Sequence, residues 1–223
     1  MDTLPPFPAG SFMGLLEPAD QLEVVREGHR MTLPPGATLL FEGDLSDRVV
    51  VVVSGAVRVF ATASNGREVL VTVAGPGEIM GEMSAVDGQA HSASVNTLDE
   101  ADVVLVPAAS FRTVMQANAR VAFAVAIRLT RELRHNLQQR VGIEALDVPT
   151  RLAQTIVALA DRLDVRQGSI ELPVSQRELA ESCGASREAV TKALATFRTR
   201  GWVSTDRRSV TILDLEAIRA RAS

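Results

Sequence analysis

Three side chains near position 190 have the chemistry to read a DNA duplex. Arg187 can donate two parallel bonds to guanine O6 and N7, Glu188 can accept from cytosine N4, and Lys192 can reach a guanine or a phosphate. Ser175, Gln176, Arg177 and Thr191 are candidates for phosphate contacts that set register, and Ser186 leads the group. Other chemistry finds little support. Cys183 is the only cysteine, which removes an internal disulfide, a zinc cluster and an iron–sulfur centre. His29, His91 and His135 are scattered and carry no haem motif, and no G-x-S-x-G, P-loop or H-E-x-x-H occurs. No catalytic residue and no metal set is expected.

The elements around these residues are legible. Ser175-Gln176-Arg177-Glu178 has the form of a capping box, so a short helix should run from Gln176 to about Ser182. Gly184 can take the left-handed conformation that ends it, and Ser186 then caps a second helix, Arg187 to about Thr199. Ala180, Gly184 and Val190 supply the small residue, the turn and the branched apolar contact that a helix-turn-helix needs. Its second helix enters the major groove with its amino-terminal residues leading. Trp202-Val203 and Val210–Leu213 read as a two-stranded wing whose turn carries Arg207 and Arg208.

Upstream the text changes twice. From Arg30 to Pro107, short β-branched runs alternate with turn signals, Asn65-Gly66 the clearest of them, as in a small barrel, jelly roll or sandwich. From Ser110 the spacing is helical. Val121, Val125, Leu129, Leu133, Leu137 and Val141 recur every four residues, with Arg120, Arg128, Arg131, Arg134 and Arg140 assigned to the far side. A helix from about Ala119 to about Leu146 is too long to pack fully on one small β-domain, so it joins two domains, pairs with a second copy, or does both; a long core helix is the alternative. Asp147-Val148-Pro149-Thr150 breaks it and opens a new helix, Thr150 to about Leu163. The expected division is 1–118, 119–147 and 148–223.

Charge follows this division. Residues 1–147 hold 11 Arg against 18 Asp and Glu, a net −7, while residues 148–223 hold 12 Lys and Arg against 9 acidic residues, a net +3. The overall −4 therefore does not argue against nucleic acid. No apolar run is long enough to span a bilayer and no secretion signal is seen, so a cytoplasmic location with no membrane partner is expected.

Ser186-Arg187-Glu188-Ala189-Val190, the segment Asp147–Ala153, and the glycines at 36, 43, 55, 75 and 77 together resemble the CRP/FNR family of bacterial regulators, from about Phe7 to Leu213. The resemblance implies an α+β chain: an amino-terminal cyclic-nucleotide-binding-like β-roll (a jelly roll), a long dimerisation helix and a carboxy-terminal winged helix-turn-helix. It also implies a homodimer on a palindromic site in double-stranded DNA, RNA polymerase as a partner, and an effector that reorients the DNA-binding domains. Gly81-Glu82-Met83 and Ser92-Ala93 look like the family's phosphate cassette, with Glu82 accepting from a ribose hydroxyl and Ser92 holding the phosphate. His91 stands where the family has an arginine, and Asn136 and Leu137 stand where it offers a Thr-Ser pair to the base. A cyclic nucleotide, a different small molecule and an effector-free active state all stay open. So does His91 as a structural residue. An enzyme, or a regulatory module acting through a protein partner, is the contrasting function class.

Overall fold

The computed structural model describes residues 4–45, 47–163, 170–206 and 209–222. Two compact units part inside the long helix, after residue 132. In the first unit a helix, α1 (Pro18–Val25), precedes eight strands: β1 (His29–Leu33), β2 (Thr38–Leu40), β3 (Arg48–Ser54), β4 (Val57–Thr62), β5 (Glu68–Ala74), β6 (Ile79–Met80), β7 (Ser94–Thr97) and β8 (Ala101–Pro107). They form two antiparallel four-stranded sheets, ordered β1-β8-β3-β6 and β2-β7-β4-β5. The alternation of early and late strands within each sheet is that of a jelly roll.

β3 joins two cores. Val50 and Val52 pack with Leu40, Val57, Val59 and Val95 of the opposite sheet. Val49, Val51 and Val53 pack with Phe12, Met13, Phe111, Val121 and Val125 on the helical side. All five valines are buried, each worth about 1.5–3 kcal/mol of transfer free energy.

Three helices complete the unit. α2 (Glu82–Asp87) interrupts a stretch expected to be strand-like throughout. The helical spacing from Ser110 resolves into two helices, α3 (Ala108–Ala117) and α4 (Ala119–Ala145), parted at Asn118. Asn118 is extended, and its Oδ1 accepts from the Arg120 amide at 3.0 Å.

The faces of α4 differ from the expected ones. Val121, Ala124 and Val125 are buried, whereas Leu133, Leu137 and Val141 are 61%, 54% and 66% exposed. Counting by fours overshoots the 3.6-residue turn by about 40° each step, so that series winds around the helix instead of marking one face. At about 100° per residue, Phe123, Leu137 and Val141 share a side that lies opposite Val121 and Val125. Arg128, assigned to the solvent side, falls on the buried one, and its side chain is 11% exposed.

The second unit is a helical cluster with a small sheet. α5 (Val148–Ala160) begins two residues before the expected Thr150 and ends before Leu163, with Asp147 as its cap and proline in its first turn. α6 (Gln176–Ser182) and α7 (Arg187–Thr199) fall at the expected bounds. The wing is three-stranded: β10 (Val203–Thr205) pairs with β11 (Val210–Ile212), which also pairs with β9 (Ile170–Leu172). The expected basic turn at Arg207 and Arg208 lies outside the described residues. α8 (Leu215–Ala222) closes the chain against α5. Leu152, Ile156, Leu179, Val190, Leu194 and Phe197 form the interior.

Candidate nucleic-acid interface and effector cassette

The reading unit is held by local hydrogen bonds at each joint. Ser175 Oγ accepts from the Glu178 amide at 3.2 Å, and Glu178 Oε2 accepts from the Ser175 amide at 2.8 Å. The capping box is therefore closed, and the Ser175 hydroxyl also donates to Glu178 at 2.7 Å. α6 ends in a reciprocal carbonyl cap: the Ala185 amide donates to Ala180 O at 2.9 Å and the Gly184 amide to Glu181 O at 3.2 Å, with Gly184 at φ +60°. Ser186 then caps α7 by accepting from the Ala189 amide at 3.2 Å.

A residue the sequence did not single out secures this turn. Arg151 of α5 donates from Nε to Cys183 O at 2.9 Å, from Nη2 to Gly184 O at 3.2 Å, and from Nη1 to Leu146 O at 2.9 Å. A guanidinium offers five donors in a rigid fork, which suits three carbonyls in different directions. Carbonyl acceptors are invisible in sequence, so no spacing could have marked Arg151.

Of the expected DNA contacts, Ser186, Arg187, Glu188, Thr191 and Lys192 are exposed at the start of α7. Arg187, Glu188 and Lys192 make no side-chain hydrogen bond or ion pair among the described residues. Thr191 Oγ1 lies 3.1 Å from Gln176 Oε1 and 2.8 Å from Arg187 O, and its one proton serves either acceptor, tying α6 to α7. Arg177 is exposed but pairs with Glu181 at 3.0 Å. The Ser175 hydroxyl is committed to Glu178. Nearby, Arg200 lies 4.9 Å over the Trp202 ring, and Arg198 donates to Thr205 at 3.0 Å. The arrangement offers a duplex two cations and a carboxylate on one exposed helix end.

Of the cassette residues, Gly81 and His91 come together beside Arg48, and Glu82 is held against Arg128. Gly81 precedes α2 at φ +84°, and a Cβ there would stand 2.9 Å from Arg48 O and 3.3 Å from His91 Cε1. Glu82 is buried against Arg128 of α4, with Nε 3.3 Å from Oε1. The same guanidinium lies 3.0 Å from Glu78 and 3.4 Å from Glu132. Burial pushes the Glu82 carboxyl up from its ordinary value, against the pull of Arg128. His91 is buried, its amide donating to Asp44 O and its carbonyl accepting from Gly43, both at 2.9 Å. Burial holds its imidazole below the usual histidine range, with Asp47 and Asp44 acting the other way, so it is neutral at neutral pH. Arg48 is engaged with Asp47 at 2.5 Å. Ser92 is exposed, Ala93 is half-buried, and Met83 turns outward at 52% exposure. Asn136 is exposed and belongs to the other unit. A buried carboxylate suits a ligand hydroxyl; a neutral imidazole does not replace a guanidinium on a phosphate.

Known proteins carry the same organisation. A cyclic nucleotide-binding domain model matches residues 30–118, and a Crp-like helix-turn-helix domain model matches residues 150–221. The CRP-like cAMP-activated global transcriptional regulator of Mycobacterium tuberculosis is 32% identical over 217 residues, 96% of each chain. The regulator CRP of Haemophilus influenzae is 27% identical over 165 residues, 73% of this chain and 74% of that one. Among solved structures, FixK2 from Bradyrhizobium japonicum shares the fold at a TM-score of 0.73 and 22% identity, covering 88% of this chain and 98% of its own. A CRP-family transcriptional regulator from Thermus thermophilus gives 0.65 at 27% identity, over 86% and 96%. With a relative of 32% identity along nearly its whole length, and both domain models in the same order, the chain belongs to the CRP/FNR family of DNA-binding transcription regulators.

Proposed function

We propose that the protein is a homodimer that reads a palindromic DNA site with the amino-terminal end of α7 and answers to an effector in the β-domain. The observation that carries the reading is the exposed trio Arg187, Glu188 and Lys192, left without protein partners among the described residues at the end of a helix whose other face is core. In this reading residues 1–118 sense, 119–147 dimerise through the exposed side of α4, and 148–223 bind DNA. Effector binding acts only by preferring the DNA-competent arrangement.

The Mycobacterium tuberculosis relative is named cAMP-activated. Among the described residues, the neutral His91 and the paired Arg48 leave the cassette short of a free cation for a cyclic phosphate, so cyclic AMP should bind weakly and another ligand, or none, should set the active state. RNA polymerase would be the protein partner at promoters.

Two measurements test this. Site selection followed by anisotropy titrations at several salt concentrations should return a two-fold symmetric motif, with log K falling linearly in log salt. Sedimentation should give a dimer that Leu137→Glu dissociates. A strict monomer, or one indifferent to duplex DNA, would overturn the proposal. Calorimetric titration with cyclic AMP that gave tight binding and raised DNA affinity would overturn the effector reading alone.

A further inference from the structure

The cap that opens α5 is bonded from outside its own helix. Asp147 Oδ1 accepts from the Thr150 amide at 2.9 Å, which completes the cap. The Thr150 hydroxyl donates to the same oxygen and accepts from Arg221 Nη1, and Arg221 Nη2 lies 2.8 Å from both oxygens of the carboxylate. The Thr150 donors, with Arg221 behind them, hold the Asp147 carboxyl below its ordinary value, so it is ionised at neutral pH. Arg221 comes from the last turn of α8, 74 residues further along the chain.

Capping alone does not call for this guanidinium. The caps at Ser175 and Ser186 close with bonds from within their own helices. An exposed ion pair contributes little, and the Asp147 side chain is 62% exposed. This pair differs in also running through Thr150, which is buried. The next residue is Arg151, whose fork holds Leu146 O, Cys183 O and Gly184 O. Further bonds join the same two helices: Gln154 Nε2 donates to Ala222 O at 3.0 Å, and Arg219 pairs with Asp161 at 2.8 Å. A continuous path of bonds thus runs from α8 to the first turn of α5 and on to the turn that launches α7.

We propose that Arg221 is a positioning residue for DNA reading: by tying α8 to Asp147 and Thr150 it fixes the first turn of α5 and, through Arg151, the turn from which α7 presents Arg187, Glu188 and Lys192. It acts through these neighbours and needs no contact with DNA. The inference rests on α7 being the reading helix. Asp147 and Arg221 work as one unit, because the loss of either leaves the first turn of α5 held by its own cap alone.

The test is a double-mutant cycle on the full-length protein with Asp147→Asn and Arg221→Met. It is read by anisotropy titration on the selected DNA site, well below the melting temperature, and by hydrogen exchange of the Gly184 and Ala185 amides without DNA. Asparagine keeps the cap and removes the charge. Each single variant should weaken specific binding about 3–10-fold and speed exchange of both amides at least about threefold. The double variant should be no worse than either single one. Arg221→Lys, which keeps the charge but not the fork, should recover part of both losses, and it serves if the methionine variant folds poorly. A lower urea midpoint with parent-like DNA affinity and parent-like exchange would make the pair a structural tie and overturn the proposal. So would losses that simply add in the double variant. A parent that read no duplex would refute the α7 assignment and this inference with it, whereas a parent that reads DNA beside unaltered variants would refute this inference alone.

Discussion

Replacing Arg187 by alanine isolates base reading from folding. Arg187 opens α7, is exposed and makes no side-chain bond among the described residues, so its loss removes no internal contact. Its charge sits at the positive end of the helix dipole, where a cation costs a few tenths of a kcal/mol, and alanine is the better helix former. Folding stability should thus be unchanged or slightly higher. In the complex, a bidentate arginine–guanine pair discriminates by about 1–3 kcal/mol, or roughly 5–150-fold per half-site. A symmetric dimer loses it twice, about 2–6 kcal/mol if the half-sites add. The assay is site selection with parent and variant at one salt concentration, then anisotropy titrations on the parent consensus. One position per half-site should become degenerate while the salt slope stays within about one unit for each protomer. Unchanged base preference with uniformly weaker binding would make Arg187 a phosphate contact. A large drop in the urea midpoint would show that it packs within the protein. Either result refutes the assignment.

Arg151→Met should cost about 2–4 kcal/mol in urea unfolding and weaken DNA binding, because three carbonyls around the turn lose their donor. Gly81→Ala should destabilise by at least about 1–2 kcal/mol, since φ is +84° and the new Cβ would meet Arg48 O at 2.9 Å. The hydrogen bond from Arg120 holds the Asp20 carboxyl at about 2, below its ordinary 3.8. A depressed folded-state value supports stability above pH 3.8 that is lost as pH falls through 2, so Asp20→Asn should flatten the acid limb of the stability profile between those values.

The legible parts of the molecule are those specified by near neighbours. The box at Ser175 and Glu178, the turn at Gly184 and the cap at Ser186 each lie within four residues of what they bond, and α6 and α7 fall at the expected bounds. Strands with long valine runs are equally plain. α2 escapes notice because six residues between two glycines hold less than two turns, too few for a period to emerge. β9 is three residues and depends on its distant partner β11. Arg128 is misplaced because a stripe counted by fours drifts around a helix, and its partners Glu78 and Glu82 are remote in sequence. Arg151 bonds carbonyl oxygens in the turn and beside the α4 end, acceptors that every residue carries. For the cassette, sequence supplies the position of His91, while its burial and neutrality need the fold.

The five consecutive valines of β3 bear on how the protein avoids misfolding. With apolar side chains on both sides, sliding this strand by one residue against β8 would swap which interior each valine enters yet expose nothing oily to water. Such a strand cannot report its own alignment. That information must come from its ends, where Arg48 opposes Pro107 and where Gly55, at φ +78°, would place a side chain 2.5 Å from Glu100 O. Substitutions at these strand ends should therefore cause slow folding and aggregation out of proportion to their effect on the finished molecule.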